Sequence, residues 1–135
     1  MKIFNQVPPF DSKVNFVDEN NVVVGYDIEQ DCCEFASWFI LKEKATKDNL
    51  DYDWMYDQTD NQLEFDELEY RFDINFRETI SRDDLCDYTT VTIFRLVSIK
   101  DGPDLYLHLH NSHNGYYSHG FTVTVDDKEI EHGSL

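Results

Sequence analysis

The chain has 135 residues and a formal net charge of −17, from 28 Asp and Glu against 11 Lys and Arg. Its length fits one domain, and 41% hydrophobic with 15% aromatic residues is enough to fill a core, which excludes wholesale disorder. The charge excludes a protein that grips DNA, RNA or an anionic membrane directly, because those partners need a basic face.

From the N-terminus, Met1 to Gln6 lacks the apolar stretch of a signal peptide. No run anywhere approaches the ~20 apolar residues of a membrane span. Val14-Asn15-Phe16-Val17 and Val22-Val23-Val24-Gly25-Tyr26 flank Asp18-Glu19-Asn20-Asn21. Two β-branched runs around a four-residue polar loop read as a hairpin. Gly25 marks either a bulge or a close approach.

The three cysteines, Cys32, Cys33 and Cys86, leave one over in any pairing. Adjacent Cα atoms lie about 3.8 Å apart across a trans peptide, below the ~4.4 Å usual for a disulfide. Reduced thiols in a cytoplasmic protein are therefore the expectation. Asp31 and Glu34 disfavour a neighbouring thiolate. The plain reading has one cysteine packed as a small hydrophobe and the other facing outward. The sharper one makes the pair a cation or redox site. Phe35 to Leu41, apolar on both faces, reads as a buried strand, with a short helix as the alternative.

Between Asp48 and Asp73 stand ten carboxylates and one cation, Arg71. Tyr52, Trp54, Met55, Tyr56, Leu63, Phe65, Leu68, Tyr70 and Phe72 are interleaved with them. A disordered acidic tail would lack those residues, so the charge is expected on a folded face. Glu69 to Phe76 alternates polar and apolar strictly, as a half-buried strand does. Ser81-Arg82-Asp83-Asp84 carries a capping signal for a short helical turn.

Thr89 to Ile99 is β-branched and apolar on both faces, the pattern of a central strand. Lys100-Asp101-Gly102-Pro103 is a turn. Leu105, Leu107 and Leu109 then share one face, with Tyr106, His108 and His110 on the other. Phe121, Val123 and Val125 form the next inward set. A three-residue loop, His113-Asn114-Gly115, would oppose Leu107 to Phe121 and Leu105 to Val123, giving one apolar surface. The expected fold is thus a single domain, residues 1–135, α+β or mainly β. It is built on an antiparallel sheet with a C-terminal three-strand meander and an acidic, aromatic-rich elaboration over about residues 43–87.

Candidate chemistry is sparse. His-x-His on a strand puts His108 and His110 on one face about 6–7 Å apart, a spacing that suits two ligands of one zinc, with His113 or His119 as a third. Against this stands a plain polar strand face. No Gly-rich phosphate loop, serine elbow or zincin string is present, so the reading leans away from an enzyme. Asn114, Tyr116 and Tyr117 form a candidate recognition tip, or simply a well-made turn.

Gln30-Asp31-Cys32-Cys33-Glu34 resembles a string of an uncharacterised family of short bacterial and phage proteins. Later parts of that family look like Thr92-Ile93-Phe94-Arg95-Leu96 and Asn114-Gly115-Tyr116-Tyr117-Ser118 here, with His113 as a departure before the Asn. The resemblance covers about half the chain in two blocks, and the family brings a bacterial or phage setting but no activity. The functional expectation is a non-enzymatic acidic protein that binds a basic protein partner. Its sharper form is a phage-type inhibitor that mimics the charge of a nucleic acid. The expected contact residues are Asp51, Asp53, Trp54, Tyr56, Asp57, Asp60, Glu64, Asp66, Glu67, Glu69, Asn114, Tyr116 and Tyr117. The alternative is a small metal- or ligand-binding protein using the His-rich C-terminal hairpin. No cofactor beyond that zinc is expected.

Overall fold

A computed structural model describes residues 1–6, 13–29, 34–51, 54–55, 57–58, 69–84, 87–113 and 118–135. Nine strands are assigned among them: β1 (Lys2–Gln6), β2 (Lys13–Val17), β3 (Val22–Asp27), β4 (Glu34–Leu41), β5 (Tyr70–Asp84), β6 (Asp87–Ser98), β7 (Leu105–His113), β8 (Gly120–Val125) and β9 (Lys128–Ser134). One sheet runs β1-β2-β3-β8-β9 and the other β4-β7-β6-β5, with every described pairing antiparallel. The fold is mainly β, as the period-two patterns require.

The two sheets face each other across one apolar core, the arrangement that lets two half-buried sheets hide their apolar faces. Val14, Phe16, Val24, Tyr26, Phe121 and Val123 enter it from the first sheet. Ala36, Ile40, Phe72, Phe94, Leu96, Leu105, Leu107 and Leu109 enter it from the second. The β2–β3 hairpin pairs Phe16 with Val24 and Val14 with Tyr26, as its two β-branched runs predict. The Tyr26 hydroxyl crosses the core and donates to the His110 carbonyl on β7 at 2.7 Å.

Asp18, in the β2–β3 turn, makes a second tie between the sheets. Its carboxylate is buried. One oxygen accepts the N–H groups of Asn20 at 3.0 Å and Val22 at 2.9 Å. The other accepts the Phe72 N–H of β5 at 2.9 Å. A buried carboxylate is tolerated when its lone pairs meet donors in this way.

Three expectations are corrected. The last strands do not form one meander. β6 and β7 form a hairpin, but β7 lies between β6 and β4 while β8 crosses to the other sheet, between β3 and β9. Leu107 and Phe121 share the core from opposite sheets rather than as cross-strand partners. The apolar alternation that suggested pairing is equally satisfied by two sheets stacked face to face. Ser81 to Asp84 is strand, not a helical turn. Ser81 pairs with Thr90 and Arg82 with Thr89, and the Ser81 and Thr90 hydroxyls meet at 3.2 Å. Cross-strand pairing outweighs a local capping preference. The strict alternation of residues 69–76 also breaks. An irregularity between Phe72 and Arg77 leaves Ile74 exposed and turns Phe76 toward the outer face of the sheet.

Two strands carry no strong sequence signal. β1 sits at one edge and β9 at the other. The β8–β9 turn is Asp126-Asp127, both at positive φ (50° and 63°), the backbone of a two-residue hairpin turn. Aspartate reaches that region more readily than most residues, but without glycine the turn is hard to read.

A candidate acidic face on an apolar strap

The outer face of the β4-β7-β6-β5 sheet carries a second apolar cluster. Phe39, Val91 and Ile93 come from the strands; Ala45, Leu50 and Met55 come from the segment that follows β4. The described residues of this segment, 42–51, 54–55 and 57–58, lie over the sheet as a strap. Leu50 and Met55 are among the most completely buried side chains, and burying each stabilises the strap by about 1.5–3 kcal/mol. Thr89 to Ile99 is apolar on both faces for this reason, with Phe94 and Leu96 facing the inter-sheet core and Val91 and Ile93 facing the strap.

Local chemistry shapes the strap. A single 3-10 turn spans Lys47–Asn49. Asp51 then caps a short helical stretch: its carboxylate accepts the Trp54 N–H at 2.8 Å and its carbonyl accepts the Met55 N–H at 3.1 Å. The Trp54 ring meets Phe39 edge-on at 5.7 Å between centroids. Lys44 pairs with Glu78 of β5 at 2.7 Å and lies 5.5 Å from the centroid of Phe76. Arg95 sits 4.8 Å from the same ring and pairs with Asp73. Hydrogen bonding to Arg95, with help from the Asn75 N–H, holds the Asp73 carboxyl below its ordinary range.

The strap's apolar side chains point inward while its carboxylates stay in water. Glu43, Asp48, Asp51 and Asp57 are exposed, and so are Lys42, Lys44 and Lys47, of which Lys44 is paired with Glu78. Among the expected contact residues, Asp51 therefore has a capping role, Trp54 is half-buried against Phe39, and Asp57 is exposed. Glu69 is exposed and pairs with Lys100 at 2.8 Å. Asp53, Tyr56, Asp60, Glu64, Asp66, Glu67, Asn114, Tyr116 and Tyr117 lie outside the described residues, as do Cys32, Cys33 and Cys86.

The three histidines are not brought together. His108 and His110 share the face under the strap. Unbroken pairing along β7 puts His113 on the opposite face, with Leu109 and Asn111. His108 uses both ring nitrogens. Its Nδ1–H donates to the Tyr106 carbonyl at 3.0 Å, and its Nε2 accepts the Ala45 N–H at 3.0 Å. It stacks on Phe39 at 4.6 Å. His110 is fully buried, and neither ring nitrogen has a hydrogen-bond partner among the described residues. Burial lowers the pKa of His108 to about 4 and that of His110, with repulsion from His108, to about 3. Both imidazoles are neutral at pH 7. Among the described residues, no group of three or more His, Cys, Asp or Glu side chains is placed to hold a metal ion.

The opposite surface of the molecule carries a shallow groove of about 510 Å³ on the outer face of the first sheet, lined by Lys13, Asn15, Gly25, Asp27, Thr122 and His132 among others. Gly25 is its floor. A Cβ there would lie 2.9 Å from the Asn15 side-chain oxygen and 3.2 Å from the Thr122 hydroxyl. Gly25 is thus a close approach, not a bulge.

Sequence reasoning missed Lys44, Ala45 and Asp18. Leu50 and Met55 do stand out as apolar residues in an acidic run, and they are the signal that a strap exists. No described helix is long and apolar enough to cross a membrane. A family model described as a domain of unknown function, DUF7448, matches residues 2–123. No curated protein and no solved structure matches the chain.

Proposed function

The chain belongs to this family of unknown function, and on that premise we propose that it is a non-enzymatic interaction protein whose acidic strap face receives a basic protein partner. The observation that carries the reading is the division of labour within the strap. Leu50 and Met55 are buried while Glu43, Asp48 and Asp57 stay exposed, alongside exposed Lys42 and Lys47, with Lys44 taken up by Glu78. Carboxylates on an anchored segment present a fixed field, and a fixed field speeds encounter with a partner of opposite sign. Half-buried Trp54 beside them offers a rigid amphipathic contact. The sharper form of the proposal is charge mimicry: the partner is a nucleic-acid-binding protein, and the strap occupies the surface that meets phosphates.

The test is affinity capture with the full chain from an extract of the organism that encodes it, washed at ~50 and ~200 mM salt, with mass spectrometry of what is retained. A basic protein retained at the lower salt and lost at the higher is expected, because exposed charges are screened over that range. Enrichment of no basic protein would count against the reading.

A further inference from the structure

The strap is held by a contact that protonation would break. We propose that His108 and His110 form an acid-sensitive latch that holds the strap on the sheet at neutral pH and releases it, ahead of the sandwich itself, as pH falls. The latch is a property of the strap and its sheet alone, and it stands whether or not the acidic face binds a basic partner.

The geometry at His108 admits one protonation state. Nδ1–H is committed to the Tyr106 carbonyl, so Nε2 must be the lone pair that receives the Ala45 N–H at 3.0 Å. A second proton on the ring would set one N–H against another at that distance. The Ala45 contact would be lost, and Ala45 is where the strap meets the sheet. His110, two residues along the same face, fails differently. Its ring packs against Phe35 at 5.1 Å and Phe39 at 5.4 Å between centroids, with both nitrogens unpartnered among the described residues. Among the described residues a charge there would find neither acceptor nor counter-ion, and an unpaired buried charge is among the costliest groups a protein can hold.

The surroundings offer little relief. Among the described residues, the β4 groups on this face are Phe35, Ser37 and Phe39, with no titratable side chain. β7 adds Tyr106. β6 adds Arg95, already paired with Asp73, and β5 adds Glu78, paired with Lys44, and Arg82. The strap brings Lys42, Glu43, Lys44, Lys47, Asp48, Asp51 and Asp57, all exposed. With the strap open, water reaches both rings and each titrates near 6.5. Closed, burial holds them neutral far below that, to about 4 and about 3. The open state therefore binds more protons between those limits. Closure is fully favoured above pH ~6.5 and is progressively lost as pH falls below it.

The chain has two tryptophans, and they separate the two events. Trp54 lies on the strap, edge-on to Phe39; Trp38 faces the inter-sheet core, edge-on to Phe16 at 5.0 Å. Fluorescence is followed from pH 8 to 3 in Trp38→Phe, which reads the strap, and in Trp54→Phe, which reads the sandwich. The Trp54 transition is expected at least about one pH unit above the Trp38 transition, and His108→Gln, whose amide oxygen accepts from Ala45 without titrating, is expected to lower it by about one unit. Glu78→Gln, which removes the carboxylate of the Lys44 pair, should leave a histidine-dependent transition in place. Coincident transitions, or a Trp54 midpoint unmoved by His108→Gln, would overturn the latch. Nitrogen NMR of the wild-type rings gives a readout that needs no variant. His108 is expected as the Nδ1–H tautomer and unprotonated at pH 5.5; a ring titrating at its ordinary value with the strap closed would overturn it equally.

Discussion

Replacing Asp18 with alanine should be one of the most damaging single changes in the molecule. The substitution strips three backbone N–H groups of their acceptor: Asn20, Val22 and Phe72. The contacts to Val22 and Phe72 are buried. A hydrogen bond to a charged acceptor is worth about 1.5–3 kcal/mol, and a stranded buried donor costs about 1–3 kcal/mol. Two buried bonds and one part-buried one then put the loss at about 3–5 kcal/mol, since the three share one side chain and do not add fully. Asp18→Asn keeps one acceptor oxygen, so it serves either the turn or Phe72 and should lose about half as much. Urea unfolding followed by circular dichroism at pH 7 measures both. The alanine variant should show a lower midpoint at unchanged slope. An alanine variant within ~1 kcal/mol of wild type would mean that the turn and β5 are not joined through this carboxylate, and the reasoning would fail.

Other changes test other parts of the account. Leu50→Ala opens a hole beneath the strap, where Leu50 is 1% exposed, and should cost about 2–4 kcal/mol by thermal or chemical unfolding. Gly133→Ala would place a Cβ 2.5 Å from the Phe121 ring, which already packs edge-on against Phe94. The ring must move, at a cost of about 1–3 kcal/mol. His110→Leu removes two buried nitrogens that have no partner among the described residues, so a gain of about 1–3 kcal/mol at pH 7 is expected. The same variant should flatten the pH dependence. An imidazole held neutral when folded loses about 2 kcal/mol of stability between pH 6.5 and 5, and His110→Leu removes that contribution. Unfolding curves at those two pH values for wild type and variant decide it.

Much of this was legible in residue order, for physical reasons that differ from element to element. The β2–β3 hairpin and strands β4, β6 and β7 announce themselves because branched and aromatic side chains fill a pleated surface. Thr89 to Ile99 even signals, by being apolar on both sides, that something covers the outer face. Sheet membership was not legible. Alternation tells which residues of β7 and β8 face a core, but not whether they face it side by side or from opposite sheets. The irregularity begins at Phe72, whose N–H is held by Asp18, 54 residues away, a tertiary contact that no local pattern encodes. In the candidate site, the interleaving of acids with Trp54 and Met55 marks a folded face. The capping role of Asp51 and the two committed nitrogens of His108 are geometric facts that composition does not carry. His-x-His spacing shows that two rings share a face, not whether their lone pairs are already in use.

The central claim is that the acidic face of the strap recognises a basic protein. The most direct measurement is the affinity for the captured partner of wild type and of a Glu43→Gln, Asp48→Asn, Asp57→Asn variant, across ~50 to ~200 mM salt. These three exposed residues leave the Asp51 cap and the buried anchors untouched. The account predicts that wild-type affinity falls at least about tenfold over that range, and that the variant binds about tenfold more weakly at low salt with a shallower salt dependence. Equal affinities for the two proteins, with binding indifferent to salt, would contradict it.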